Sequence, residues 1–117
     1  MQLPNEIQSL LDDIMQDPTI EKYRCKYTWI SGSSTEVYPI EVGPRDICIQ
    51  LDRKVEKRDG KSFNKRYEKI LERTMNAIAD RHQDVVKYAY LGAQDDSCPS
   101  CMWFKYKDEF DLRKLNK

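Results

Sequence analysis

The sequence predicts an α+β fold: a mainly antiparallel sheet packed by two helices, in the order α-β-β-β-α-β-β. Three observations carry that prediction. Two segments repeat apolar residues at helical spacing, and five others alternate or run apolar over strand-like lengths. Turn residues separate the strands at Gly32-Ser33-Ser34 and Gly43-Pro44-Arg45, which suits hairpins better than long crossovers. At 117 residues the chain is short enough that residues 1–117 form one domain, since a core divided in two would be too small to hold.

The first helix lies in LPNEIQSLLDDIMQD, where Ile7, Leu10, Leu11 and Ile14 make an apolar stripe, Asn5 is the expected N-cap and Asp17-Pro18 the stop. In YRCKYTWIS, Tyr23, Cys25, Tyr27 and Trp29 alternate with Arg24, Lys26 and Thr28, the pattern of a strand with one apolar face. EVYPIEV and DICIQLD read as the next two strands, and Pro39, which has no N–H to donate, places its strand at an edge. Ser62 is the expected cap of a long helix reaching Asp80 to Gln83, with Phe63, Tyr67, Ile70, Leu71, Thr74, Ala77 and Ile78 as its apolar stripe. VVKYAYLG and MWFKYKD supply the last two strands, and EFDLRKLNK a short helix or frayed end.

Apolar residues make up 39% of the chain and charged residues 34%, so a small core under a heavily charged surface is expected. The formal net charge is zero, which argues against a surface that is basic throughout but leaves room for a local basic face. Met1 to Glu21 carries five acids and no Lys or Arg, whereas Asp52 to Arg73 carries nine bases against five acids. No run approaches the roughly 18 apolar residues a membrane helix needs, and the N-terminus lacks the basic region of a signal peptide. The expectation is a cytoplasmic protein with no membrane partner, its four cysteines reduced.

The basic run is the main candidate site. Lys54, Lys57, Arg58 and Lys61 fall in the loop after the third strand, and Lys65, Arg66, Lys69 and Arg73 on the long helix, where Lys65, Lys69 and Arg73 form an i, i+4, i+8 row. Such a ridge meets phosphates, and it makes a nucleic-acid-binding module without enzymatic activity the first expectation. The other reading of the same residues is a solvated helix face, softened by Glu68 and Glu72.

A second candidate is Asp52-Arg53-Lys54. With the hairpin turning at Gly43 to Asp46 in simple register, Glu41 stands opposite Ile47 and Glu36 opposite Asp52, on the face that Asp52 shares with Lys54. Two carboxylates and a lysine can hold Mg²⁺ or Mn²⁺ and polarise a phosphodiester. This strand pair, within an α-β-β-β-α-β order over about residues 4 to 91, resembles the PD-(D/E)xK nucleases. That resemblance implies metal-dependent DNA cleavage by Glu36, Asp52 and Lys54, although Val-Tyr-Pro-Ile-Glu stands where the family has Pro-Asp. The α-β-β-β-α order, with Asp59-Gly60-Lys61-Ser62 before Lys65-Arg66, is also loosely similar to double-stranded-RNA-binding domains, and implies phosphate contact at that helix start. Neither likeness carries enough motif to assign a family.

Cys98-Pro99-Ser100-Cys101 is a CxxC pair that reads as thiols in a tight loop, or as half of a zinc site whose other ligands would have to be Cys25 and Cys48. His82, the single histidine, falls in the last turn of the long helix. The aromatic residues of the strands, including Tyr88, Tyr90, Trp103, Phe104 and Tyr106, are expected to pack under the helices; exposed on a sheet they would stack bases or meet a protein. A third function class stays open, an inhibitor or accessory factor that binds a partner protein through the acidic first helix or an aromatic edge. A viral or mobile-element source would suit it.

Overall fold

The computed structural model describes residues 3–30, 32–36, 40–55, 63–92 and 100–115. Helix α1 (Asn5–Gln16) starts after the extended Pro4, whose carbonyl accepts the Gln8 N–H at 2.9 Å; Asn5 is its first residue, not its cap. Ile7, Leu10 and Ile14 are buried along its inner stripe. Asp17 stops α1 as expected, and the same residue starts another helix. Its carboxylate accepts the N–H groups of Thr19 (2.8 Å) and Ile20 (3.0 Å), and Pro18 takes the first position of α2 (Pro18–Tyr23). Tyr23 therefore ends a helix and does not open a strand.

The first strand, β1, spans only Tyr27–Ile30 and pairs antiparallel with β2 (Ser33–Glu36) through Gly32, whose φ of +81° suits a residue without a Cβ. This hairpin is a sheet of its own. The second sheet has four strands in the order β3-β4-β6-β5, all antiparallel: β3 (Ile40–Val42), β4 (Asp46–Gln50), β5 (Val86–Gly92) and β6 (Cys101–Tyr106). The expected strand from Glu36 to Val42 is thus divided between two sheets, and residues 37–39 lie outside the described set. The register also differs by one residue from expectation: Glu41 faces Cys48, because the turn closes from the Gly43 N–H to the Asp46 carbonyl at 2.8 Å.

The α+β class and the order of the main elements are those the sequence predicts, with α2 in addition and the C-terminal segment present as a short helix, α4 (Leu112–Leu115). Helix α3 (Lys65–Arg81) is capped by Asn64, whose side chain accepts the Arg66 N–H at 3.1 Å; Ser62, the expected cap, lies outside the described residues. Its buried stripe is Leu71, Met75 and Ile78, while Ile70 and Ala77 turn outward. Phe63 and Tyr67, expected in the stripe, are partly buried at its margin and pack against the same cluster.

Alternation builds the core side of the sheet. Ile47 pairs with Phe104 and Ile49 with Met102, and Ala89 and Leu91 extend the same face along β5. Helices α1, α2 and α3 send their buried residues into this one cluster, and α4 adds Leu112. Complete burial of each such Ile or Leu contributes roughly 1.5–3 kcal/mol. A polar pin joins α1 to the end of α3: Arg81 grips the Asp13 carboxylate through Nε (2.9 Å) and Nη2 (3.1 Å), and His82 Nε2 reaches the same group at 2.8 Å. Asp13 is the partner of His82 that one-dimensional reading misses. Of the described residues, no helix is long and apolar enough to cross a membrane.

Candidate functional site

Glu36 ends β2 opposite Tyr27, in the small sheet, so it does not pair with Asp52 across a shared hairpin. Asp52 lies just beyond β4, where its carboxylate accepts the Lys54 N–H at 3.0 Å and caps a single 3-10 turn, Arg53–Val55. The Lys54 ammonium sits 5.4 Å from the Tyr23 ring centroid, a cation–π distance. Lys57, Arg58 and Lys61 lie outside the described residues. Lys65, Arg66, Lys69 and Arg73 are exposed on α3, the Lys65-Lys69-Arg73 row facing away from the buried stripe.

Cys98 is outside the described residues, and Cys101 is buried while Cys25 and Cys48 are half-buried, all three as free thiols. Cys25 meets β4 at its edge, its N–H donating to Gln50 at 3.0 Å and its Sγ to the Tyr27 carbonyl at 3.3 Å. Among the described residues, no three His, Cys, Asp or Glu side chains group as metal ligands would.

The residues that do converge lie on the sheet face opposite the helices. Strand alternation sends Cys48 of β4, Trp103 and Lys105 of β6, and Tyr88 and Tyr90 of β5 to that side, where Tyr90 pairs with Trp103 and Tyr88 with Lys105. Trp103 is buried and donates its Nε1–H to the Gly92 carbonyl at 3.4 Å. The Tyr90 ring stacks on it, 5.8 Å between centroids and 8° from parallel, and Tyr88 follows 5.9 Å further on. Lys105 Nζ lies 6.0 Å from the Tyr88 ring centroid. The row is wet at its outer end: Tyr88 is 47% exposed and Tyr90 40%.

These two tyrosines, with Tyr27 at 61% exposure, are not in the core as expected; Tyr23, Phe104 and Tyr106 are. The Trp29 side chain lies outside the described residues. The cause in β5 is a bulge. Val86 pairs with Tyr106 and Tyr88 with Lys105, so Lys87 is an extra residue that reverses the alternation. Val86 can then be buried while Tyr88 and Tyr90 face outward, leaving the smaller Ala89 and Leu91 under the helix side. Burial holds the Tyr90 hydroxyl above its usual pKa, with the Asp46 carboxylate adding to the shift. Asp46 itself is raised, by burial first.

At the Tyr88 end this face opens into a cleft of about 450 Å³. Arg45, Lys87, Lys105, Lys107, Arg113 and Lys114 line it, against two carboxylates, Asp108 and Asp111. Its walls are tied together by backbone. The Tyr106 N–H donates to Arg45, Leu112 to Pro44 and Lys107 to Val85, at 2.9, 2.9 and 2.8 Å. Asp111 is buried to 8% exposure and organises two guanidiniums: Arg113 binds it through Nε (3.1 Å) and Nη2 (2.8 Å), and Arg45 Nε stands 3.7 Å away. The Arg113 hydrogen bonds hold the Asp111 carboxyl far below the usual carboxylate range. Lys87 meets Asp108 at 3.6 Å. Lys107 and Lys114 make no ion pair with any described residue.

Sequence reading misses this cleft because its cations come from four separated places, the β3–β4 turn, the β5 bulge, the end of β6 and α4. The signal present was the lysine density of KYKD and LRK near the C-terminus, which shows no helical row. Comparison with protein-family models, with curated proteins and with solved structures gives no match to this chain.

Proposed function

We propose that this protein is a binding module for single-stranded nucleic acid, with unpaired bases stacking on Tyr88 and Tyr90 and phosphates held by the cations beside them. The observation that carries the reading is the exposed Tyr88–Tyr90 pair on the sheet face turned away from the core, backed by buried Trp103 and flanked by Lys105. Aromatic rings on a sheet take bases of any identity, because every base has a π face, and neighbouring Lys and Arg supply the salt-sensitive part of the affinity. Duplex bases are already stacked on each other and have less to gain.

The test is fluorescence anisotropy with labelled single-stranded DNA and RNA and the matching duplexes, over a salt series. Single strands should bind more tightly than duplexes, with affinity falling steeply as salt rises. Tyr88→Ala and Tyr90→Ala should each cost about 1–3 kcal/mol of binding. The triple change Lys65→Ala, Lys69→Ala, Arg73→Ala on α3 should cost less than either. A greater loss from the triple change would return the contact surface to the helix ridge. Absence of binding by every nucleic acid would end the reading and leave a protein partner as the object of search.

A further inference from the structure

We infer that the cleft beside Tyr88 is a site for a phosphomonoester, the dianionic terminal phosphate of a strand or of a small phosphorylated molecule, and not a stretch of groove for internal phosphodiesters. The inference deepens the proposed function and rests on it for the strand as a source. Three observations support it. The first is charge density: six cations against two carboxylates line one bounded cleft. An internal phosphodiester brings a single charge per nucleotide, whereas a terminal phosphate brings about 1.5 to 2 charges and three acceptor oxygens to one place.

The second is preorganisation. Asp111 spends its charge inside the wall, where it fixes Arg113 through Nε and Nη2 and leaves Nη1 of that guanidinium without a partner among the described residues. A guanidinium locked by a buried carboxylate loses less side-chain freedom when a phosphate arrives. Lys107 and Lys114, unpaired among the described residues, are the cations left to meet the remaining oxygens. The third is size. About 450 Å³ lies within the roughly 300–1,000 Å³ of small-molecule sites. That is room for a terminal nucleotide with its phosphate among the cations and its base against the exposed wall formed by Tyr88. Internal nucleotides would continue outward over Tyr90.

The experiment compares one oligonucleotide in three forms, with a 5′-phosphate, with a 3′-phosphate and with hydroxyls at both ends, alongside inorganic pyrophosphate alone. Binding is read by anisotropy for the strands and by NMR shifts of the Lys107, Arg113 and Lys114 amides for pyrophosphate. One phosphorylated form should bind about ten-fold or more tightly than the hydroxyl form. The preference should grow as pH rises through about 6, where the phosphate gains its second charge; the cleft's own titratable groups are Lys, Arg, Tyr, Asp108 and Asp111, and His82 is not among its lining residues. The double change Lys107→Ala, Lys114→Ala should abolish the preference and the pyrophosphate shifts, while Tyr90→Ala weakens all three strands alike and keeps the preference. Equal binding of the three strands with no pyrophosphate shift would overturn the phosphomonoester site and leave the stacking face standing. Pyrophosphate shifts lost in the double variant, with no binding of any strand, would keep a phosphate site in the cleft, assign it to a small phosphorylated ligand and overturn the proposed nucleic-acid function.

Discussion

The two faces of the four-stranded sheet carry the same kind of residue to opposite ends. On the helix side, Ile47, Ile49, Met102 and Phe104 are fully buried in the cluster they share with the helices. On the other side the large residues are Tyr88, Tyr90 and Trp103, of which only Trp103 is buried. Aliphatic side chains gain most from removal of all their surface from water, so the closed face uses them. A tyrosine keeps a hydroxyl for water while offering a flat ring, so the open face uses those. Stability therefore concentrates on one face of the sheet, and the recognition proposed above would fall on the other, within alternate residues of the paired strands β5 and β6.

Substitutions on the two faces should separate accordingly, and the largest effect belongs to the closed one. Phe104→Ala empties the centre of the sheet, where Ile47 and Ala89 are its cross-strand neighbours. It should cost about 3–5 kcal/mol of unfolding free energy in a urea titration. A loss below about 1 kcal/mol would mean that the helix layer is not packed as described, and the contrast between faces would fail with it.

How much of this division could be seen in advance depends on the element. The helix stripe of α1, the hairpin at Gly43 and the apolar runs of β4 and β6 declare the closed face directly, because burial imposes periods of 3.6 and 2 that a sequence displays. Asp17-Pro18 was readable as a boundary, yet the same chemistry that ends one helix begins the next, and only the structure distinguishes a stop from a stop and restart. The bulge at Lys87 has no signature in VVKYAYLG, and one extra residue there exchanges which side of β5 the tyrosines occupy. The α3 row of bases was legible as a helix face. The cleft was not, because its charges are collected by folding from segments as distant as Arg45 and Lys114.

The pin between α1 and α3 provides an intermediate test, since it holds the closed face together without belonging to its apolar core. Asp13→Asn keeps the shape but gives Arg81 and His82 a neutral partner, and should cost up to about 1 kcal/mol, the upper end for a partly exposed pair. The sign with pH follows from the Arg81 hydrogen bonds, which hold the Asp13 carboxyl below its ordinary value. A carboxylate depressed in the folded state stabilises above its unfolded pKa, about 3.9, and loses that contribution as pH falls through the folded value. The stability gap between wild type and Asp13→Asn should accordingly narrow below about pH 4. Asp111, also held low, supplies an acid loss common to both proteins and does not cancel the difference. A gap that stays constant into acid would show that Asp13 acts through shape and not through charge.

The smallest expected effect on stability is also the sharpest test of the contrast. Tyr88 is 47% exposed, has the Tyr90 ring 5.9 Å away and Lys105 Nζ 6.0 Å from its own centroid, and lies on the edge strand of the sheet. Its removal to Ala leaves no cavity in the closed face, so unfolding free energy should change by about 0.5 kcal/mol or less. Tyr90→Ala should cost somewhat more, because that ring covers Trp103 by a parallel stack. If the open face is built for recognition, Tyr88→Ala should nonetheless show a binding loss several times larger than its stability loss, measured on the same preparation. The opposite result, a protein destabilised by Tyr88→Ala and binding as before, would mean that the exposed row is an outlying part of the packing. Equal, small effects on both would place the ring on the surface for neither purpose.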